Sequence, residues 1–124
     1  NLHLGVSVED QATAEDRIPL LLITPAALRF VSVEPLLGPV EIEPYMDGAW
    51  SNDDAVPVGP RLDWVICGAE TGPHKRKCEV DWIHDLRDQC KRNHVQLFGK
   101  VYSTGQRLNP RQWPDYKKRW EGKR

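Results

Sequence analysis

Two glutamates end the same four-residue sequence, VSVE, once at Glu9 and once at Glu34. A third, Glu70, ends the apolar segment LDWVICGAE, and Lys100 ends the segment VQLFGK. Carboxylates that lie within a few ångströms of one another repel, so such a group binds a cation, shares a proton or accepts hydrogen bonds from a donor-rich ligand. A serine stands two residues before each of the first two glutamates. The candidate ligand-binding residues are therefore Ser7, Glu9, Ser32, Glu34, Glu70 and Lys100.

Four short apolar segments predict the strands that carry these residues. They are rich in β-branched and aromatic side chains and span residues 2–9, 29–36, 62–70 and 95–101. Residues two apart in a strand point to the same side, so Ser7 shares a face with Glu9, and Ser32 with Glu34. If the strands are parallel, their carboxyl ends meet at the edge where α/β proteins bind ligands. The alternative is that the glutamates end their strands in solvent and pair with nearby Lys and Arg.

Two helices are predicted between the strands. The first spans residues 11–24; Thr13 and Asp16 resemble a capping box that would start it at Thr13, and Pro19 predicts a kink or a break. The second spans residues 81–93, where apolar side chains recur at three- and four-residue spacing and charged ones face outward. The side chains predicted to be buried are Trp82, Ile83, Leu86 and Cys90.

The alternation of strands and helices predicts an α/β fold with parallel strands and right-handed crossovers. We expect one α/β domain over residues 1–102, interrupted by a proline-rich loop insertion at 37–61. A short extra strand at 40–42 is an open alternative within that loop. Residues 103–124 form a basic, aromatic tail, with one helical turn that packs on the sheet as a further alternative.

The composition is that of one globular domain, with 124 residues of which 40% are hydrophobic and 28% charged. The longest apolar run, 18–23, is far shorter than the roughly 20 residues of a membrane-spanning helix. Because no secretion signal is evident at the N-terminus, we expect a cytoplasmic protein with no membrane partner. The cysteines, Cys67, Cys78 and Cys90, are widely spaced, so neither a disulfide framework nor a metal site is predicted.

Charge is distributed unevenly, although the net charge is only −1. Residues 1–54 contain ten acids and two bases, a net charge of −8, and residues 55–124 carry a net charge of +7. Such asymmetry is typical of a nucleic-acid-binding surface, or of two copies that attract each other through opposite poles.

Three long segments carry a resemblance to a known family: LGVSVEDQATAEDRIPLLLITPAALRFVSVEPLLGPVEI, LDWVICGAETGP and DWIHDLRDQC. Together with the lysine of the last strand, they resemble the C-terminal half of an uncharacterised phage-protein family with a (β/α) barrel of the radical S-adenosylmethionine type. The resemblance implies an incomplete, half (β/α) barrel with about four parallel strands. Cys67, Ala69 and residues 99–102 depart from the family pattern. The matching residues are Gly5, Ser7, Glu9, Ser32, Glu34, Pro35, Gly68, Glu70, Gly72 and Lys100.

The same resemblance implies S-adenosylmethionine as a candidate cofactor. In that family the first half of the barrel carries the cysteines that would hold an iron–sulphur cluster, and the three cysteines of this chain fall in a predicted strand, loop and helix. We therefore expect no cluster on this chain and no catalysis by the chain alone. The expected function is that of a truncated half-barrel, of phage or mobile-element type, that keeps a ligand-binding edge. Its exposed strand edges predict a homodimer or pairing with a missing N-terminal half.

Nucleic-acid binding, as an accessory protein, is the alternative function. The loop after the third predicted strand is basic, and the tail from Arg111 interleaves three aromatic residues with six basic ones. Cationic side chains contact phosphates, and aromatic rings stack on unpaired bases. The residues of this alternative are His74, Lys75, Arg76, Lys77, Lys117, Lys118 and Arg119.

Overall fold

The computed structural model describes residues 2–46 and 59–114. Four strands alternate with two helices, except that a short 3-10 helix, Glu43–Tyr45, replaces a full helix between the second and third strands. The strands are β1 (His3–Val8), β2 (Leu28–Val33), β3 (Trp64–Cys67) and β4 (Gln96–Gly99), and the helices are α1 (Gln11–Ile23) and α2 (Val80–Arg92). The predicted α/β fold with four parallel strands is confirmed.

The strands form one parallel sheet in the order β1-β2-β3-β4. Apolar residues alternate along each strand, and the register places Val8, Val33 and Cys67 side by side, with Gly99 next to Cys67. All three side chains are fully buried. Because successive residues of a strand point to opposite faces, these side chains define the face that packs into the core.

Both helices pack on that face, since their buried side chains belong to the same core cluster as the strand residues. Helix α1 contributes Ala14, Ile18 and Leu21, and α2 contributes Ile83, Leu86 and Cys90. The last three were predicted from the spacing of apolar residues, whereas Trp82 is only partly buried against the cluster. The opposite face of the sheet carries Ser7, Ser32, Ile66 and Phe98, and we call it the serine face.

Helix α1 begins earlier than the predicted capping box placed it. Asp10 is the N-cap: its Oδ1 accepts a hydrogen bond from Thr13 N at 2.9 Å, and Thr13 Oγ1 accepts one from Asp10 N at 3.1 Å. The box therefore joins Asp10 to Thr13, and the pairing of Thr13 with Asp16 is wrong. Pro19 was predicted to cause a kink or a break, and the break is wrong, because α1 continues through Pro19 to Ile23.

The chain after β2 enters the core before it reaches β3. Leu36, Val40, Ile42 and Met46 are buried, so the first part of the predicted loop insertion packs with the rest of the domain. No strand forms at 40–42. Glutamine side chains bind this segment instead: Gln89 contacts Val40 and Ile42, and Gln11 contacts Glu41. The polar centre of the predicted loop, DGAWSNDDA, lies outside the described residues.

The first part of the tail runs back along β4. Leu108 N donates a hydrogen bond to Lys100 O at 3.1 Å, and Gly99 N donates one to Pro110 O at 2.9 Å. Two antiparallel bridges, Phe98 with Arg111 and Val101 with Arg107, follow the same course. The described tail therefore covers the outer edge of β4 as extended chain, and it forms no helical turn between 103 and 114.

Candidate ligand-binding edge of the sheet

The carboxyl ends of the strands bring Glu34 and Lys100 to one edge. Gly68 lies between them, because Gly68 N donates to Val33 O at 3.3 Å and Lys100 N donates to Cys67 O at 2.8 Å. These bonds extend the parallel register one residue past the assigned strands. Glu9 holds the equivalent position after β1. We call the row of Glu9, Glu34, Gly68 and Lys100 the carboxyl edge.

Glu34 and Lys100 form an ion pair across this row. Lys100 Nζ lies 3.1 Å from Glu34 Oε1, and the two side chains are 50% and 29% exposed, respectively. Ser32 Oγ donates a 2.7 Å hydrogen bond to the same carboxylate oxygen. Opposite charges and a hydroxyl group thus meet at one solvent-accessible point above the serine face.

Gly68 provides the space in which this pair forms. A Cβ atom at this position would lie 3.2 Å from Lys100 Cβ and 3.6 Å from Glu34 Oε2. A side chain at this position would therefore crowd the stem of Lys100 and the carboxylate of Glu34. Close approach of this kind is one of the roles that glycine has in strands and at ligand sites.

Glu9 is turned toward α1. Arg17 Nη1 lies 3.2 Å from Glu9 Oε2 and also donates a 2.7 Å hydrogen bond to Ser7 O. Arg17 thus connects the first turns of α1 to the end of β1. The side chain of Ser7 is exposed on the serine face, next to Ser32 in the register.

Glu70 lies two residues beyond the carboxyl edge and pairs with the loop that follows it. Arg76 Nε and Nη2 donate to its two carboxylate oxygens at 2.8 and 2.9 Å, and Arg76 N donates to Oε2 at 2.8 Å. These hydrogen bonds lower the pKa of Glu70 to about 2, because they stabilise the ionised carboxylate. Glu70 and Arg76 therefore hold the two ends of this loop together, and Glu70 is not part of the Glu34–Lys100 ion pair.

Each predicted glutamate thus contacts a basic side chain of the same chain, as the solvent-pairing alternative anticipated. The fold brings Ser32, Glu34 and Lys100 together. Ser7 and Glu9 lie beside them on the neighbouring strand, whereas Glu70 contacts Arg76 instead. Within residues 2–46 and 59–114, no group of His, Cys, Asp and Glu side chains is arranged to hold a metal ion.

The three cysteines are buried and come from three different parts of the chain. Cys67 lies in β3, Cys78 precedes α2, and Cys90 lies within α2. Burial raises the pKa of Cys67 to about 12 and also raises the pKa of Cys78 and Cys90. An iron–sulphur cluster needs several thiolates in a compact arrangement, and no group of three His, Cys, Asp or Glu side chains among the described residues has such an arrangement, so these buried thiols do not fit a cluster.

The basic loop proposed to bind nucleic acid is exposed, but most of its cations contact acceptors of the same chain. Arg76 binds Glu70, Lys77 Nζ lies 2.8 Å from Glu79 Oε1, and Lys75 Nζ donates to Ser103 O at 2.5 Å. His74 is exposed in the same loop. Lys117, Lys118 and Arg119 lie outside the described residues, so nucleic-acid binding stays a prediction.

An aromatic cluster on the serine face was missed by sequence reasoning. The ring centroid of Trp113, in the tail, lies 5.4 Å from that of Trp64 and 5.1 Å from that of Phe98, and Phe30 adjoins Trp64 at 5.7 Å. The guanidinium of Arg111 lies 4.4 Å from the Phe98 ring centroid. The alternation of residues along the strands could have predicted this cluster, because it places Phe30, Trp64 and Phe98 on the face that carries the serines.

Residues 1–123 match a family described as Protein of unknown function (DUF5131). The chain belongs to this family. No curated protein and no solved structure matches the chain. The description of DUF5131 names no activity, so the radical S-adenosylmethionine and phage assignments stay proposals. Neither helix of the described chain is both long and apolar enough to cross a membrane.

Proposed function

We propose that this DUF5131 chain is a binding module that holds a small ligand with an amino-acid group at the carboxyl edge. The Glu34–Lys100 pair carries this proposal. A ligand ammonium is complementary to Glu34, and a ligand carboxylate is complementary to Lys100. Ser32 supports the first contact, because its hydroxyl group fixes one oxygen of Glu34.

Because the pair is partly exposed, little free energy is lost when Glu34 and Lys100 exchange each other for charged groups of a ligand. Solvent-exposed ion pairs contribute only about 0–1 kcal/mol to stability, since water screens the attraction. A zwitterionic ligand could therefore insert between the two groups, replacing one ion pair by two. The exposed hydroxyl group of Ser7 and the aromatic cluster below Ser32 would contact the remainder of such a ligand.

The architecture in this proposal is a half (β/α) barrel. The strand order β1-β2-β3-β4, with both helices on one face, supports it, since a doubly wound sheet would carry helices on both faces. In a barrel of this type the serine face would point inward, and the carboxyl edge would lie at the end where ligands bind. The phage or mobile-element origin belongs to the same proposal and rests on the sequence resemblance alone.

S-adenosylmethionine, the cofactor implied by that resemblance, carries an amino-acid group of the proposed class. Glu34 and Lys100 are the residues that would hold that group. The buried cysteines do not fit the iron–sulphur cluster on which reductive cleavage depends. We therefore propose binding without independent catalysis.

Titration calorimetry with methionine, S-adenosylmethionine and adenosine tests the proposal on the full chain. Methionine and S-adenosylmethionine should bind, and adenosine, which lacks the amino-acid group, should bind at least about tenfold more weakly. Glu34→Gln and Lys100→Met should each weaken binding of the first two probes by a similar factor. Glu79→Gln, which removes the carboxylate of an exposed ion pair outside the carboxyl edge, is the matched control.

Three results would overturn the proposal. The first is the absence of heat with all three probes at millimolar concentration. The second is binding that Glu34→Gln and Lys100→Met leave unchanged. Binding of adenosine as tight as that of S-adenosylmethionine would assign recognition to the nucleoside and remove the role of the ion pair.

A further inference from the structure

Exposed apolar side chains concentrate on the outer side of β1 and α1. Leu20 and Ile23, in the last turns of α1, are 63% and 77% exposed, and Leu2, just before β1, is 56% exposed. Pro19 adds a further exposed side chain to the same outer side of the helix. Residues 19, 20 and 23 lie on one helical face, because residues three or four apart are neighbours on a helix surface. Exposed apolar side chains grouped in this way are typical of an interaction site.

The two edge strands of the sheet, β1 and β4, differ in what lies beside them. On the β4 side, the tail segment 107–112 already forms hydrogen bonds with the strand; Gln112 N, for example, donates to Leu97 O at 2.8 Å. On the opposite side, β1 is the outermost strand of the sheet. Within residues 2–46 and 59–114, no strand pairs with the outer edge of β1, whereas the tail occupies the outer edge of β4.

The two ends of α1 differ in charge: acidic side chains lie in its N-terminal half, and an arginine contacts its C-terminal end. Glu15 and Asp16 are exposed near its N-terminal half. At its C-terminal end, Arg29 Nη2 donates a 2.8 Å hydrogen bond to Thr24 O, and Arg29 Nε donates one to Leu21 O at 3.3 Å. Two α1 helices packed antiparallel around Leu20 and Ile23 would place Asp16 of each copy near Arg29 of the partner subunit.

The like charges stay apart in this arrangement. Asp16 lies about five residues from the centre of the apolar patch, roughly 8 Å along a helix axis. The acidic groups of the two copies would therefore be separated by roughly 16 Å, more than the Debye length of about 8 Å at physiological ionic strength. The acidic N-terminal half of the sequence does not prevent self-association through this surface.

We propose that α1 and the β1 edge form a self-complementary interface that binds a second copy of this chain. A two-fold axis would run through the patch of Leu2, Leu20 and Ile23, with the two α1 helices antiparallel and the two β1 edges adjoining. Such an isologous contact presents the same surface on both subunits. The serine face and the carboxyl edge stay accessible, so this dimer and the proposed ligand site are independent.

Sedimentation equilibrium of the full chain over a dilution series tests the proposal. The wild-type chain should be a dimer that dissociates on dilution. Leu20→Glu combined with Ile23→Glu should raise the dissociation constant at least about 100-fold, because four charged side chains would enter the interface. Val80→Glu, which alters an exposed apolar residue of α2, is the matched control and should leave the dissociation constant within about twofold.

Hydrogen exchange of the wild-type chain gives a second measurement that needs no variant. The amides of β1 and of the last turns of α1 should gain protection as concentration rises, whereas the amides of β4 should not change. A chain that is monomeric at all concentrations would overturn the proposal. So would a dimer that the double variant leaves intact, or protection that appears on the β4 side.

Discussion

The side chain of Gln89 on α2 pairs with the backbone of Ile42 in the segment between β2 and β3. Gln89 Oε1 accepts a 2.8 Å hydrogen bond from Ile42 N, and Gln89 Nε2 donates one of 2.8 Å to Val40 O. Gln89 is fully buried and also donates to Asp85 Oδ2 at 2.8 Å. A polar side chain in the core therefore fixes the path of the segment that begins directly after Glu34.

Replacing Gln89 with leucine should destabilise the fold by about 2–4 kcal/mol. The substitution leaves the buried groups Ile42 N and Val40 O without their partner, and each unsatisfied buried group costs about 1–3 kcal/mol. Urea denaturation followed by circular dichroism measures the free energy of unfolding.

Gln11 provides the matched control, because it contacts the same segment from the protein surface. Its Oε1 accepts a 2.6 Å hydrogen bond from Glu41 N, and its Nε2 donates to Glu41 O at 3.2 Å. Water can replace both bonds in Gln11→Ala, so this variant should lose less than about 1 kcal/mol. Equal losses in the two variants would contradict the buried role of Gln89.

Gly99→Ala should also destabilise the protein, by about 1–3 kcal/mol, because it overpacks the core. An added Cβ atom would lie 2.9 Å from Leu108 Cβ and 3.0 Å from Leu108 Cγ, and Leu108 is fully buried. The tail should detach from β4 first, which hydrogen exchange of Gly99 N and Leu108 N would detect. Gly38→Ala, where the nearest atom is 4.0 Å away, should leave both measurements unchanged.

The start of α1 shows where sequence reasoning loses precision. Asp10 and Thr13 are three residues apart, as are Thr13 and Asp16, so the sequence contains two overlapping capping patterns. The structure selects the first, because β1 ends at Val8 and the chain turns at Asp10. A capping signal therefore depends on where the preceding strand ends, which local spacing does not specify.

The carboxyl edge was predictable in part for a physical reason. Parallel strands align their carboxyl ends, so the strand assignments alone bring Glu34 and Lys100 to one edge. The pairing of Glu70 with Arg76 depends instead on the path of a loop, and the burial of Gln89 depends on the backbone that packs against α2. Both are set by tertiary contacts, which strand and helix periodicity does not contain.

Cys67 and Cys90 should be unreactive toward a thiol reagent in the native protein. Burial raises the pKa of both thiols, and only the thiolate attacks a disulfide reagent. In a Cys78→Ser variant at pH 8, labelling with dithiobisnitrobenzoate should follow unfolding, and urea-unfolded protein should react fully. Rapid native labelling, or cluster absorbance after anaerobic treatment with iron and sulphide, would contradict this assignment.

The carboxylate of Glu70 should stay ionised well below the usual pH range of glutamate. Its pKa is lowered from 4.5 to about 2 by the hydrogen bonds from Arg76. A carboxyl group whose pKa is lower in the folded state stabilises that state above the unfolded pKa, and this contribution is lost as pH falls from 4.5 toward 2. NMR titration of the side-chain carbonyl carbon measures the pKa directly.

Arg76→Gln should raise the pKa of Glu70 toward 4.5, since the variant removes the charged donor. Glu43 is the internal control, because its pKa is lowered independently by Arg92 and Asn93. Its titration should not move in the Arg76 variant. A Glu70 pKa that stays low in that variant would show that another group holds the carboxylate. A Glu43 pKa that rises with it would show that the substitution had disturbed the fold as a whole.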